Sequence, residues 1–212
     1  MKSLRTIFLT ITALFALSCT TDVTNDLDVQ LSNGEGQTSL ALSLEGARTQ
    51  LDNKSEEGVY PLTWSAGDAI AVNGVASSAL TEEQAGAASA LFTFTGEVSR
   101  PYNVVYPAPS TDVMAETEGL NPVTFLANQE YIEGTFCSGA APMYGYAGEG
   151  STEAIQMQHL AGVLRIAPKG EGVTLQQMTI TSESGCIAGN FDVNCSKGTI
   201  VPHTNASNTI TM

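Results

Sequence analysis

Leu40-Ala41-Leu42-Ser43-Leu44 decides how this chain is read. Three leucines alternate with two small residues, and a period of two sends successive side chains to opposite faces of an extended strand. The stretch predicts a strand with one apolar face turned toward a core. Similar signals recur downstream at short intervals. Phe92 and Phe94 share one phase within residues 91–95. Tyr102-Asn103-Val104-Val105-Tyr106 is dense in β-favouring side chains and is closed by Pro107 and Pro109. Shorter runs fall at 59–64 (interrupted by Pro61), 69–72, 155–157, 163–167, 187–193 and 199–201, and Ile210 alternates with Met212. Val173 and Leu175 share one phase while Met178 and Ile180 share the other, which predicts a bulge near Gln176-Gln177. Thr81-Glu82-Glu83-Gln84 has the form of a capping box, so one short helix is expected over 81–90, weakened by Gly86. Residues 108–153, rich in Pro, Gly, Asn and Ala, read as long surface loops. Many short strands between Gly and Pro turns predict an all-β chain folded as an antiparallel sandwich.

Upstream of this body the chain changes character. Lys2 and Arg5 precede an apolar run over 7–17, followed by Ser18-Cys19. A basic start, a short apolar stretch and small residues before a cleavage point form a secretory signal too short for a stable membrane span. The cysteine directly after the small residue resembles a bacterial lipobox. Residues 1–18 are therefore expected to be a lipoprotein signal peptide, cut between Ser18 and Cys19, with Cys19 lipidated. Residues 19–37 carry Asp, Asn, Thr, Ser and Gly and too little apolar surface for a core, so they read as a flexible lipid tether. The folded body is then expected over 38–212, held to a membrane by lipid.

Charge narrows the partners. The chain has a formal net charge of −14, and loss of Lys2 and Arg5 with the signal takes it to −16. The remaining basic residues, Arg48, Lys54, Arg100, Arg165, Lys169 and Lys197, do not cluster. Nucleic-acid binding needs a basic stripe, so that class is excluded, and attachment to anionic lipid by a polybasic patch goes with it. Beyond Cys19 there are three cysteines, Cys137, Cys186 and Cys195. An odd number leaves at least one outside any intrachain pair. Cys186 and Cys195 flank a turn region and could bridge neighbouring strands in an oxidising envelope; buried or unlinked thiols are the equal alternative. Their spacing fits no zinc pattern.

The sequence contains no nucleophile elbow, no His-Glu-x-x-His, no phosphate-cradling loop and no Cys-x-x-Cys. No catalysis, cofactor or metal is expected, and His159 and His203 read as structural or surface histidines.

Trp64-Ser65-Ala66-Gly67-Asp68-Ala69-Ile70-Ala71-Val72 resembles the Trp-x-x-Gly-Asp-x-Ile-x-Val signature of the fimbrillin-like proteins of Bacteroides and its relatives. Arg48-Thr49, Ala90-Leu91-Phe92-Thr93-Phe94, Tyr102-Asn103-Val104-Val105-Tyr106-Pro107 and Met157-Gln158-His159-Leu160-Ala161-Gly162-Val163-Leu164-Arg165-Ile166 are similar to that family in the same order, and the likeness covers about residues 38–200. Gly67-Asp68 suits a turn that accepts positive φ and an Asx hydrogen bond, and Trp64 can bury a large ring if its N–H finds a partner. These are expected to be fold residues.

The resemblance implies a transthyretin-like β-sandwich, the first of two in longer members, exported as an outer-membrane lipoprotein and displayed on the cell surface. It implies a fimbrial (pilus) subunit or accessory protein with a role in adhesion. A protease would cut between Arg48 and Thr49 and remove the strand bearing Leu40, Leu42 and Leu44. Other fimbrial subunits would then be joined by donor-strand addition, with host or bacterial surface ligands as further partners. The alternative is a monomeric surface lipoprotein that binds glycans or host ligands, with Tyr131, Phe136, Tyr144 and Tyr146 as stacking platforms.

Overall fold

The computed structural model of this chain describes residues 37–44, 63–110, 119–133, 135–152 and 154–212. The signal and lipidation site at Ser18-Cys19, the Arg48-Thr49 cleavage site and the run at 59–62 lie outside the described residues, as does the tether expected over 19–37 apart from Gln37, which belongs to a strand.

Every regular element among the described residues is a strand. β1 (Gln37–Ser43) lies between β4 (Ser89–Thr95), antiparallel to it, and β10 (Ile155–Gln156), parallel to it. A second sheet has the order β11 (Gln158–His159), β9 (Met143–Ala147), β5 (Tyr102–Tyr106), β2 (Ala71–Val72), β3 (Val75–Ala76), all antiparallel. A third has the order β14 (Thr199–Pro202), β13 (Gly189–Asn194), β6 (Asn121–Phe125), also antiparallel. β7 (Tyr131–Ile132) pairs with β8 (Thr135–Phe136), and β12 (Thr179–Thr181) with β15 (Thr209–Thr211).

Two cores hold these sheets together. The first gathers Leu40, Leu42, Leu44, Phe92 and Phe94 from the first sheet against Val72, Tyr102, Val104, Tyr106 and Met143 from the second, with Trp64 and Ile70 among them. The other face of the second sheet offers Ala71 and Val105, which pack with Val123 and Phe125 of β6 and Phe191 and Val193 of β13 in the third sheet, and with Cys195 just past β13. The five-stranded sheet is thus covered on both sides, and all five residues of β5 are buried. A strand buried on both faces needs a near-continuous apolar run, which is how Tyr102-Asn103-Val104-Val105-Tyr106 is written.

Several expectations are corrected. The stretch 81–90 is not a helix. The capping contact does form, with the Thr81 backbone N–H donating to Gln84 Oε1 at 3.0 Å, but only one turn follows. Gly86 has a φ of +89°, its N–H donates to Trp64 O at 2.8 Å, and Ala87 O accepts from Trp64 N–H at 2.9 Å. Pairing with the Trp64 backbone takes groups that a helix would use for itself. The region 108–153 is not loop throughout: most of its described residues lie outside strands, but it contributes β6, β7, β8 and β9, and β9 is an inner strand of the second sheet. Conversely, residues 161–178 form no strand and no bulge, although 163–167 and 173–177 have strand-like sequences. β2 and β3 are joined by Asn73-Gly74, both at positive φ (50° and 79°), which is the backbone of a tight two-residue hairpin.

Candidate functional site

The candidate site is the slot that β1 fills. Pairing with β4 runs the whole length of β1, from Gln37 opposite Thr95 to Ser43 opposite Ser89, with Leu40 facing Phe92 and Leu42 facing Ala90. Its other edge meets β10 through Leu42 and Ser43. Beyond the strand, Leu44 N–H donates to Ala88 O at 2.8 Å and Met157 N–H to Ser43 O at 3.0 Å. Thr38 Oγ1 donates to Gly96 O at 2.9 Å. Leu40, Leu42 and Leu44, the residues expected to form a removable strand, are 5%, 1% and 3% exposed. Each is worth roughly 1.5–3 kcal/mol of apolar burial. Chemically the slot is a peptide-strand site: two backbone edges to hydrogen-bond, and pockets spaced for alternate apolar side chains.

Aromatic rings pack together at the floor of that slot. Trp64 meets Phe92 edge-on at 4.9 Å between ring centroids and Tyr106 at 5.6 Å. Such pairs add about 0.5–1.5 kcal/mol beyond area burial. The Tyr106 hydroxyl donates to Asp68 Oδ1 at 2.7 Å, and Ser65 N–H donates to Asp68 Oδ2, also at 2.7 Å. Burial first, then the Asp68 carboxylate beside it, push the Tyr106 phenol well above its ordinary range, so it remains a proton donor. Gly67, at φ +89°, makes the turn that lets Asp68 reach back to Ser65. The turn expected at Gly67-Asp68 is therefore present, and its carboxylate also anchors a core tyrosine 38 positions away. Trp64 Nε1 is buried with no hydrogen-bond partner among the described residues, contrary to the condition set for burying that ring.

Cys186 and Cys195 are not joined by a disulfide. Cys195 lies in the second core, where its thiol donates to Val104 O at 3.5 Å, whereas Cys186 is exposed. The four aromatics of the glycan alternative fall into two pairs. Tyr131 faces Phe136 across the β7–β8 hairpin, while Tyr144 and Tyr146 share one face of β9; no ring contact joins the pairs among the described residues. His203 Nε2, one residue past the end of β14, stands 2.9 Å from Asp192 Oδ2 on β13, at ion-pair distance but without hydrogen-bond geometry. Among the described residues, no group of three His, Cys, Asp or Glu side chains is placed to hold a metal ion. No helix among them is long and apolar enough to cross a membrane. Comparison with known protein families, with curated proteins and with solved structures finds no match to this chain.

Proposed function

We propose that this chain is a non-catalytic, lipid-anchored cell-surface subunit of a fimbria, built on a transthyretin-like sandwich and assembled by strand exchange at the β1 slot. One observation carries the reading: the first described strand is inserted between two others and, with Leu44 directly after it, supplies three buried leucines to the main core. Removing it would uncover an apolar groove together with the backbone edges of β4 and β10. A strand of similar alternation from another subunit would restore both the hydrogen bonds and the burial. Arg48 stands four residues beyond Leu44, where a cut would separate β1 from the body. Export and lipidation at Cys19 would deliver the chain to the outer membrane, and adhesion would be the role of the assembled fibre.

The test is to treat the exported chain with an arginine-specific protease and follow its N-terminus and its mass in solution. The reading expects a new N-terminus at Thr49, release of the β1 peptide, and assembly that a synthetic peptide of residues 37–44 inhibits. Cleavage at Arg48 with β1 retained and no assembly sinks the strand-exchange mechanism.

A further inference from the structure

The turn between β2 and β3 is Asn73-Gly74, a dipeptide whose asparagine readily loses its side-chain amide. Glycine carries no Cβ to crowd its own nitrogen, so that nitrogen can reach the preceding Cγ. In the reaction the Gly74 nitrogen gives its proton to water and bonds to Asn73 Cγ. The Cγ–Nδ2 bond breaks, and Nδ2 leaves as ammonia with a proton taken back from water. The product is a five-membered succinimide, which water opens to aspartate or isoaspartate. The only co-reactant is water.

In the folded chain both polar atoms of the Asn73 side chain are engaged. Nδ2 donates to Ser99 O at 2.7 Å and to Pro101 O at 3.0 Å. Oδ1 accepts from Asn103 N–H at 2.9 Å and from Asn103 Nδ2 at 3.2 Å. Asn73 N–H donates to Asn103 O at 3.0 Å, so the backbone of the turn is held as well. These bonds tie the turn to β5, which includes Asn103, and to the segment leading into it. Asn73 sits at φ +50°, a left-handed conformation that asparagine tolerates. Swinging Cγ onto the Gly74 nitrogen requires the carboxamide to leave all four of its hydrogen bonds.

The product does not fit the place that the asparagine left. A carboxylate has no donor, and its oxygens would face the carbonyl oxygens of Ser99 and Pro101, where N–H groups pointed before. Leaving a charged group against unmatched acceptors costs more than losing a neutral hydrogen bond. Isoaspartate also adds a backbone atom to a two-residue turn whose length sets the register of β2 and β3.

We propose that Asn73-Gly74 is a gated deamidation site, closed while the β2–β3 hairpin is docked on β5 and opened when the hairpin releases, and that the reaction makes the release permanent. The site lies on the second sheet and is independent of exchange at the β1 slot.

The test uses the whole chain, with Cys19→Ser so that no lipid is attached, incubated in mildly alkaline buffer both folded and in urea. Mass spectrometry of the peptides follows Asn73. In urea it should react at a rate close to that of Asn33-Gly34 in the same chain. In the folded chain it should react at least about tenfold more slowly, because the hairpin must first open. Equal rates in the two states overturn the proposal. Asn73→Asp tests the permanent release against Asn73→Gly, which keeps the left-handed turn and loses the same side-chain bonds without adding charge. The Asp variant should melt at a lower temperature than the Gly variant and exchange the Val72 and Val104 amides faster. Failure of Asn73→Asp to fold where Asn73→Gly folds counts as that expected loss. Equal melting temperatures and equal exchange in the two variants overturn the permanence of the release.

Discussion

β1 and the 161–178 arm are written in much the same language and end in opposite places. Leu40, Leu42 and Leu44 alternate with small residues and lie in the main core; Leu164 and Ile166 alternate within a β-favouring run and stand in solvent. Alternation states which face of a strand can be buried, but not whether a second surface arrives to bury it. β1 has β4 along its full length and the second sheet beneath it. The arm has no strand beside it within the described chain.

The comparison is sharpened most by cutting equivalent side chains in the two regions. Leu42→Ala should cost about 2–5 kcal/mol, as expected where a buried leucine leaves a cavity in a packed core. Urea unfolding followed by tryptophan fluorescence reads this directly, because Trp64 belongs to the same core. A loss under about 1 kcal/mol would mean that β1 is not held by its leucines.

A smaller effect is expected at the floor of the slot. Tyr106→Phe removes the donor to Asp68 and leaves a buried carboxylate oxygen short of a partner, at a cost of about 1–3 kcal/mol. The same pair sets an alkaline limit. The folded state holds the Tyr106 proton more tightly than the unfolded chain, whose phenol has the ordinary value of 10.0. Stability from this group is therefore complete below that pH and is lost progressively as pH rises above it. Tyr106→Phe should flatten the alkaline decline in melting temperature relative to the original chain. An unchanged slope would show that the hydroxyl is not held as described.

The smallest effect belongs to the arm. Leu164→Ser in the monomer should leave unfolding free energy within about 0.5 kcal/mol of the original, as for surface substitutions away from packed features. A large loss would close the gap between the two regions and show that the arm is covered.

Legibility followed the range of the forces involved. The strands β1, β4 and β5 could be read because alternation and β-favouring side chains are local properties of Leu40-Ala41-Leu42, Phe92-Thr93-Phe94 and Tyr102-Asn103-Val104-Val105-Tyr106. β6 and β9 were hidden by Pro122 and Gly145, residues that read as loop. Yet Pro122 lies in β6, an edge strand, where a missing N–H is tolerated. Gly145 lies where an added Cβ would meet Ile155 and Met157 side chains at 2.8 and 2.9 Å, so close packing requires the residue that local reading treats as a breaker. The helix expected over 81–90 failed because its first hydrogen bonds were local and correct while the following ones were taken by Trp64, far away in sequence. At the candidate site, the alternating leucines were visible, whereas the Tyr106–Asp68 bond at the floor joins residues 38 positions apart.

The sequence by itself determined the all-β class, the phase of the strands that line the first core, and the acidic net charge, because each depends on side-chain type and nearest spacing. Only the tertiary structure decided that β5 is covered on both faces, that β1 is inserted rather than marginal, and that the arm is left uncovered. Those outcomes rest on backbone hydrogen bonds and apolar contacts between distant segments, and a strand acquires its neighbours only when the chain has folded back to supply them.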